Sequence, residues 1–211
     1  MNKRIQSIDI VRGLVLIIMA LDHIRDLLHS QALISSPTNL ATTSAPYFFS
    51  RWITHLCAPT FVLLSGVSVY LSSKRKSISE TRIFLLKRGL WLIVLEFTII
   101  NFLLWFDVQF RILILQVIAA IGVGFIVMAM LIRVSPKVIG IIAIIILFTH
   151  NLLQYVPASQ NTVVGVLRNL FFTPGVQVIS PGFMFLTSYP LIPWIAIMML
   201  GFSLGSIYER P

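Results

Sequence analysis

Apolar residues in this chain come in long runs, and short polar stretches separate them. The runs are about Ile8–Leu28, Trp52–Leu71, Gly89–Phe106, Ile112–Ile132, Val138–Leu153 and Leu191–Tyr208. Each is close to the roughly 20 residues that a helix needs to cross hydrocarbon. One segment, Thr162–Tyr189, breaks the rhythm. Its apolar stretch Val163–Phe172 is interrupted by Arg168, and Pro174, Gly175, Pro181, Gly182 and Pro190 punctuate the residues after it. It is expected to form an interfacial helix and then a re-entrant or surface loop. No internal repeat and no linker divides the chain. The expected fold class is all-α: a polytopic transmembrane helix bundle of about six spans, forming one integral-membrane domain over residues 1–211.

Composition agrees with this pattern. The chain is 57% hydrophobic and 11% charged, whereas a soluble domain carries about 25% charged residues. The net charge of +9 would suit nucleic acid only if a basic soluble domain carried it, and none is present. The partner is therefore the lipid bilayer. Lys3 and Arg4 precede the first run. Lys74, Arg75, Lys76, Arg82, Lys87 and Arg88 lie between the second and third, and Arg133 and Lys137 between the fourth and fifth. The other loops hold few cations. This alternation places the N-terminus in the cytoplasm. The first run comes after Met-Asn-Lys-Arg without the short apolar region of a signal peptide, so it is expected to be retained. Cys57 is the only cysteine, so no intrachain disulfide can form.

The candidate chemistry collects at the end of the first run. Asp22, His23, Arg25, Asp26 and His29 come after a stretch free of charge. Such groups are costly in hydrocarbon unless they are paired or face a polar cavity. At about 100° per residue, Asp22, Arg25, Asp26 and His29 share one arc and His23 faces another. The second run opens with Arg51 and His55, four apart on one face, ahead of Pro59. If the first two runs are antiparallel neighbours, these groups come level at one outer mouth. Histidine can exchange a proton near neutral pH and a carboxylate can orient it, so the cluster suits proton abstraction from a hydroxyl or amine. The same charges would also serve as a plain helix-end ion pair.

Three other features stand apart. Glu96 lies mid-run, either as a structural group or as part of a substrate path, with Asn101 and Gln116 as further polar groups. Asp9 and Arg12 are three apart at the opposite end of the first run, where Arg12 could hold phosphate. His23, His29, His55 and Asp26 lack the tight spacing of a metal site, so no metal is expected.

Several blocks resemble a known family. These are Arg4–Gly13 (RIQSIDIVRG), Met19–Asp26 (MALDHIRD), Phe49–Phe61 (FSRWITHLCAPTF), Leu64-Ser65-Gly66, Ile114–Ile118, and Tyr189–Trp194 with Gly201 and Gly205. Together they resemble the bacterial relatives of heparan-alpha-glucosaminide N-acetyltransferase, over nearly the whole chain. The resemblance implies an integral protein of the bacterial inner membrane. It would move an acetyl group from cytoplasmic acetyl-CoA, the donor, to an extracytoplasmic amino sugar, glycan or glycolipid. Where the family has a catalytic loop histidine, alignment on Pro59 places Ala45. His55 or His23 is then the expected base, with Asp22 or Asp26 orienting it. Arg25, Arg51 and Glu96 would meet the substrate, and Arg12 the donor. The family usually has more spans than six, so the chain is expected to be a short member or part of a larger bundle. A homo-oligomer is compatible with this reading. The rival classes are a proton-coupled transporter, with Glu96, Asp26 and His55 as a relay, and a non-catalytic helper subunit.

Overall fold

A computed structural model describes residues 6–28, 38–39, 43–155 and 162–209, with the side chains of residues 26, 27 and 153–155 outside the description. The chain divides into two compact units, Met1–Leu64 and Ser65–Pro211.

The first unit holds α1 (Gln6–Leu28), α2 (Ala45–Thr54) and the start of α3 (Cys57–Ser73). Asp9 in the first turn of α1 and Arg25 in its last turn complement the helix dipole. Pro46 in the first turn of α2 fits a position whose N–H has no helical partner. The expected second span is interrupted. α2 ends at Thr54 and α3 begins at Cys57, with a turn at His55–Leu56.

The second unit continues α3 and adds α4 (Ile78–Leu95), α5 (Asn101–Trp105), β1 (Ile112–Leu115), α6 (Val117–Leu131), α7 (Pro136–Thr149), α8 (Thr162–Phe171), β2 (Gly175–Ser180), β3 (Phe183–Thr187) and α9 (Leu191–Leu204). α4 starts well before the expected Gly89. A capping box sets its start: the Ser77 hydroxyl accepts from the Glu80 amide at 3.2 Å, and the Glu80 carboxylate accepts from the Ser77 amide at 2.9 Å. The Ser77 hydroxyl and amide hold the Glu80 carboxyl below its usual range. Beyond α5, Asp107 ties the next turn. It accepts from Arg111 Nε at 3.0 Å and from the Gln109 amide at 3.0 Å, and the Arg111 side chain is the main reason its carboxyl stays below the usual range.

The unit is mostly helical, but the all-α expectation is corrected by a three-stranded sheet of order β1-β3-β2. β1 pairs parallel with β3, Ile112 opposite Met184, and β2 pairs antiparallel with β3. Ile112–Leu115 was expected to begin the fourth span. These residues form a strand instead, and the helix starts only at Val117. The expected loop after α8 is a hairpin. Pro181 presets the first corner, and Gly182 takes the positive φ of 83° at the second, the combination a type II turn needs.

Large apolar residues are buried in this unit, among them Leu85, Met128, Met198 and Phe202, but many others face outwards. α7 buries Ile139, Gly140 and Ala143, while Ile141, Ile144, Ile145 and Phe148 are exposed. α6 buries five small residues, Ala119, Ala120, Gly122, Gly124 and Ala129, together with Phe125 and Met128. Small residues at close helix contacts and large apolar residues left exposed suit helices that pack in lipid. Two helices, Ala45–Ser73 taken through its turn and Leu191–Glu209, are long and apolar enough to cross a membrane. α1 has the length, but charges interrupt it towards both ends.

α4 and α6 cross glycine on glycine. A Cβ at Gly122 would lie 2.7 Å from the Gly89 carbonyl oxygen, whereas one at Gly13 in α1 would meet nothing within 4 Å. Gly122→Ala is therefore expected to destabilise by about 1–3 kcal/mol through overpacking. Gly13→Ala is expected to stabilise by roughly 0.5–1 kcal/mol through backbone entropy. Thermal unfolding in one detergent would compare them, and equal shifts would refute the close crossing.

Candidate functional site

The candidate site lies in the first unit, where the last turns of α1 meet α2. Its centre is Asp22. The Asp22 carboxylate accepts from Arg25 Nη2 and from the Thr54 hydroxyl. Arg51 Nη1 reaches both its oxygens, at 3.0 and 3.3 Å. Arg25 also points Nη1 at Ser50 Oγ (3.5 Å) and Thr54 Oγ1 (3.4 Å). Its guanidinium lies 5.7 Å from the centre of the Tyr47 ring. Ser50 in turn donates to the Tyr47 carbonyl at 2.7 Å.

Local sequence explains how these groups meet. Asp22 and Arg25 are three apart on α1, and Ser50, Arg51 and Thr54 occupy one face of α2. Two arginines and a hydroxyl satisfy a carboxylate that is only 15% exposed, and Arg25 is only 9% exposed. Arg51, at 32%, opens towards solvent. Beside the network is a cavity of about 470 Å³, lined by Ile18, Leu21, Arg25, Tyr47, Ser50 and Thr54 among others. Its walls are apolar, and its few polar groups converge, which is the usual character of a small-molecule site.

The expected residues fare differently. Asp22, Arg25 and Arg51 come together. The carboxylate of Asp22 meets arginines and a threonine rather than a histidine. His55 closes the end of α2, its amide on the Arg51 carbonyl at 3.0 Å. Its side chain is exposed, as is that of His23. The expectations for the Asp26 side chain and for His29 lie outside the described residues. Thr54 and Tyr47 were missed in the sequence. Thr54 carries a signal, since it stands three residues after Arg51 and one turn of helix brings them together. Ala45, the position expected to align with a loop histidine, is the first residue of α2.

Arg12 belongs to the same unit but to the other end of α1. Its Nη1 lies 3.7 Å from Asp9, and its Nη2 donates to the Leu64 carbonyl at 3.4 Å.

Glu96 lies in the second unit and has a structural partner. It is fully buried, and its carboxylate accepts from the amides of Gln116 and Ala119, the latter at 2.7 Å. It thus satisfies amides that the first turn of α6 leaves open. That accounts for the buried acid without a substrate. The backbone around it adapts, running as a π-helix over Glu96–Ile100. Asn101 comes next and acts as a substitute strand partner. It donates to the Ile114 carbonyl at 3.0 Å and accepts from the Ile114 amide at 2.7 Å. Glu96 and Asn101 therefore dock α6 and β1.

The family comparison agrees with the motif blocks. The chain belongs to the family described as heparan-alpha-glucosaminide N-acetyltransferase, catalytic, whose profile matches residues 4–211. No curated protein and no solved structure matches the chain.

Proposed function

We propose that this chain is a membrane-bound acyltransferase that moves an acetyl group from acetyl-CoA to an amino sugar, glycan or glycolipid on the far side of the membrane. The observation that carries this reading is the Asp22–Arg25–Arg51–Thr54 network beside an amphipathic cavity, within a chain of the N-acetyltransferase family. The acceptor would lie against the cavity and extend towards Arg51 and His55, which are not among the residues that line it. His55 would take the proton from its amine or hydroxyl as that nitrogen or oxygen attacks the acetyl carbonyl. The thiolate of coenzyme A would then leave and be protonated. Arg51 would stabilise the negative charge that develops on the carbonyl oxygen. His23 is the alternative base, and Asp26 the alternative orienting group. Purified protein in nanodiscs should transfer labelled acetyl from acetyl-CoA to at least one member of a panel of amino sugars and polysaccharide fragments. Labelled acetyl-CoA that is neither transferred nor hydrolysed would overturn the reading.

The six spans of the sequence belong to the same proposal, with the N-terminus in the cytoplasm of a bacterial cell. The cation-rich turns would then all face one side. Phosphatase and fluorescent-protein fusions near residues 40, 80, 108, 135 and 165 should report out, in, out, in and out. A cytoplasmic signal near residue 40 would remove the outer site.

Arg12 would meet the donor from the cytoplasmic side. Losing one charge-assisted phosphate contact costs on the order of 1.5–3 kcal/mol, so Arg12→Ala should weaken acetyl-CoA binding by at least about ten-fold. Its acceptor affinity should not change. Unchanged donor affinity would return Arg12 to its contacts with Asp9 and Leu64.

A further inference from the structure

The turn between α3 and α4 carries more than a count of positive charges. Lys76 Nζ lies 4.3 Å from the centre of the Phe84 ring, and Arg88 Cζ lies 6.0 Å from the same ring. The two cations are therefore no further apart than those distances combined. Arg88 also lies 5.7 Å from the ring of Phe125 on α6. Its guanidinium thus lies within reach of two aromatic rings from two helices, a weak attraction to the ring quadrupole that biases its orientation.

The hydrogen-bond donors of this pair remain uncommitted. Among the described residues, neither the Lys76 nor the Arg88 side chain makes a hydrogen bond or an ion pair. The nearby acids are engaged elsewhere. Glu80 accepts from Ser77, although it feels the charge of Lys76. Glu209 pairs with Lys74 at 3.1 Å and accepts from the Tyr70 hydroxyl at 2.6 Å. A planar guanidinium and an ammonium that share one ring as neighbour, each with uncommitted donors, are suited to the oxygens of a phosphate group.

The helix below supplies an apolar path. Phe84, Arg88 and Trp91 lie along one face of α4 at intervals of four and three residues. Trp91 is 61% exposed, and Ile83, Leu90 and Val94 on the same helix are exposed too. An exposed tryptophan one turn from a cation is the pattern of a bilayer interface, where rings sit at headgroup level. Charge alone would satisfy a topology signal, but aromatic clamping of two cations onto one ring would not be needed for it.

We propose that Lys76 and Arg88 form a binding site for the phosphate of an anionic phospholipid, whose acyl chains lie along the exposed face of α4. The site rests on the membrane placement proposed above and not on acyl transfer, so each can fail without the other.

The test uses the full chain in nanodiscs that mix phosphatidylcholine with phosphatidylglycerol, and native mass spectrometry counts the phosphatidylglycerol retained. Lys76→Gln/Arg88→Gln should lower its apparent affinity by about ten-fold or more, the scale of one lost charge-assisted contact. Arg75→Gln/Arg82→Gln removes the same charge from exposed positions without a ring contact, and it should change retention less than about two-fold. Equal losses in both pairs would reduce the effect to general electrostatics and overturn the site. So would no loss in either. Coenzyme A and dephospho-coenzyme A are titrated in parallel. If only the preference for the phosphorylated form falls, the ligand is a nucleotide phosphate and the lipid assignment is overturned. Should the double variant fail to fold, Lys76→Gln against Arg75→Gln carries the same comparison at exposed single positions.

Discussion

Replacing His55 by glutamine is expected to abolish acyl transfer as fully as replacing it by alanine. A positioned general base contributes about 10²–10⁴ in rate, so His55→Ala should cut turnover by that factor with the fold intact. Glutamine is of similar size and can hydrogen-bond, but it cannot take up a proton at neutral pH. If His55 only packs or donates a hydrogen bond, His55→Gln should keep most activity. The exposed ring and the adjacent Arg51 make His55 the better candidate, since substrate can reach it without displacing a partner. His23→Gln is the matched control, because His23 is also exposed but on another arc of α1. Initial rates of acetyl transfer, with circular dichroism to check folding, would decide. Full activity in both glutamine variants would leave the chain without the proposed base.

The second large effect is expected at Asp22. Its carboxylate is the common partner of Arg25, Arg51 and Thr54. These ion pairs are partly buried, so removing the carboxylate leaves two arginines poorly compensated at a cost of about 1–3 kcal/mol. Asp22→Ala should therefore lower thermal stability as well as abolish activity. Asp22→Ala/Arg25→Met removes both charges, and it should recover much of the stability while staying inactive. Additive losses in this cycle would show that the two residues are not coupled. Such a result would remove Asp22 from the centre of the site. Thr54→Val should lose less, because both arginines remain on the carboxylate.

The site was partly legible in the sequence. Ionisable residues placed where an apolar run ends are expensive, and that cost marked Asp22, His23, Arg25, Asp26 and His29, with Arg51 and His55 on the next run; of these the structure joins Asp22, Arg25 and Arg51. The pairing pattern was not legible. Whether a carboxylate meets a histidine or two arginines depends on the rotation and height of α2 against α1, which are tertiary quantities. Glu96 shows the same limit. A lone acid within an apolar run predicts a partner or a polar cavity. Only the tertiary structure brings the backbone at the start of α6, at Gln116 and Ala119, within its reach.

By itself the sequence determined the helical character of most of the chain, the family, the sites where charge enters apolar runs, and the crowding of cations on alternate turns. These depend on local quantities: run length, periodicity and the cost of charge in hydrocarbon. The sheet needed the tertiary structure. Ile112–Leu115 is apolar enough to open a helix. It becomes a strand because β3 lies parallel to it and the Asn101 amide completes its other edge. The Pro181-Gly182 corner between Gly175–Ser180 and Phe183–Thr187 did carry a hairpin signal in its turn chemistry, but pairing is a non-local contact and apolar runs of four to six residues do not choose between strand and helix. The Gly89–Gly122 crossing belongs with the sheet. Each glycine alone is a weak helix residue, and only the approach of two backbones gives the absence of a side chain its purpose.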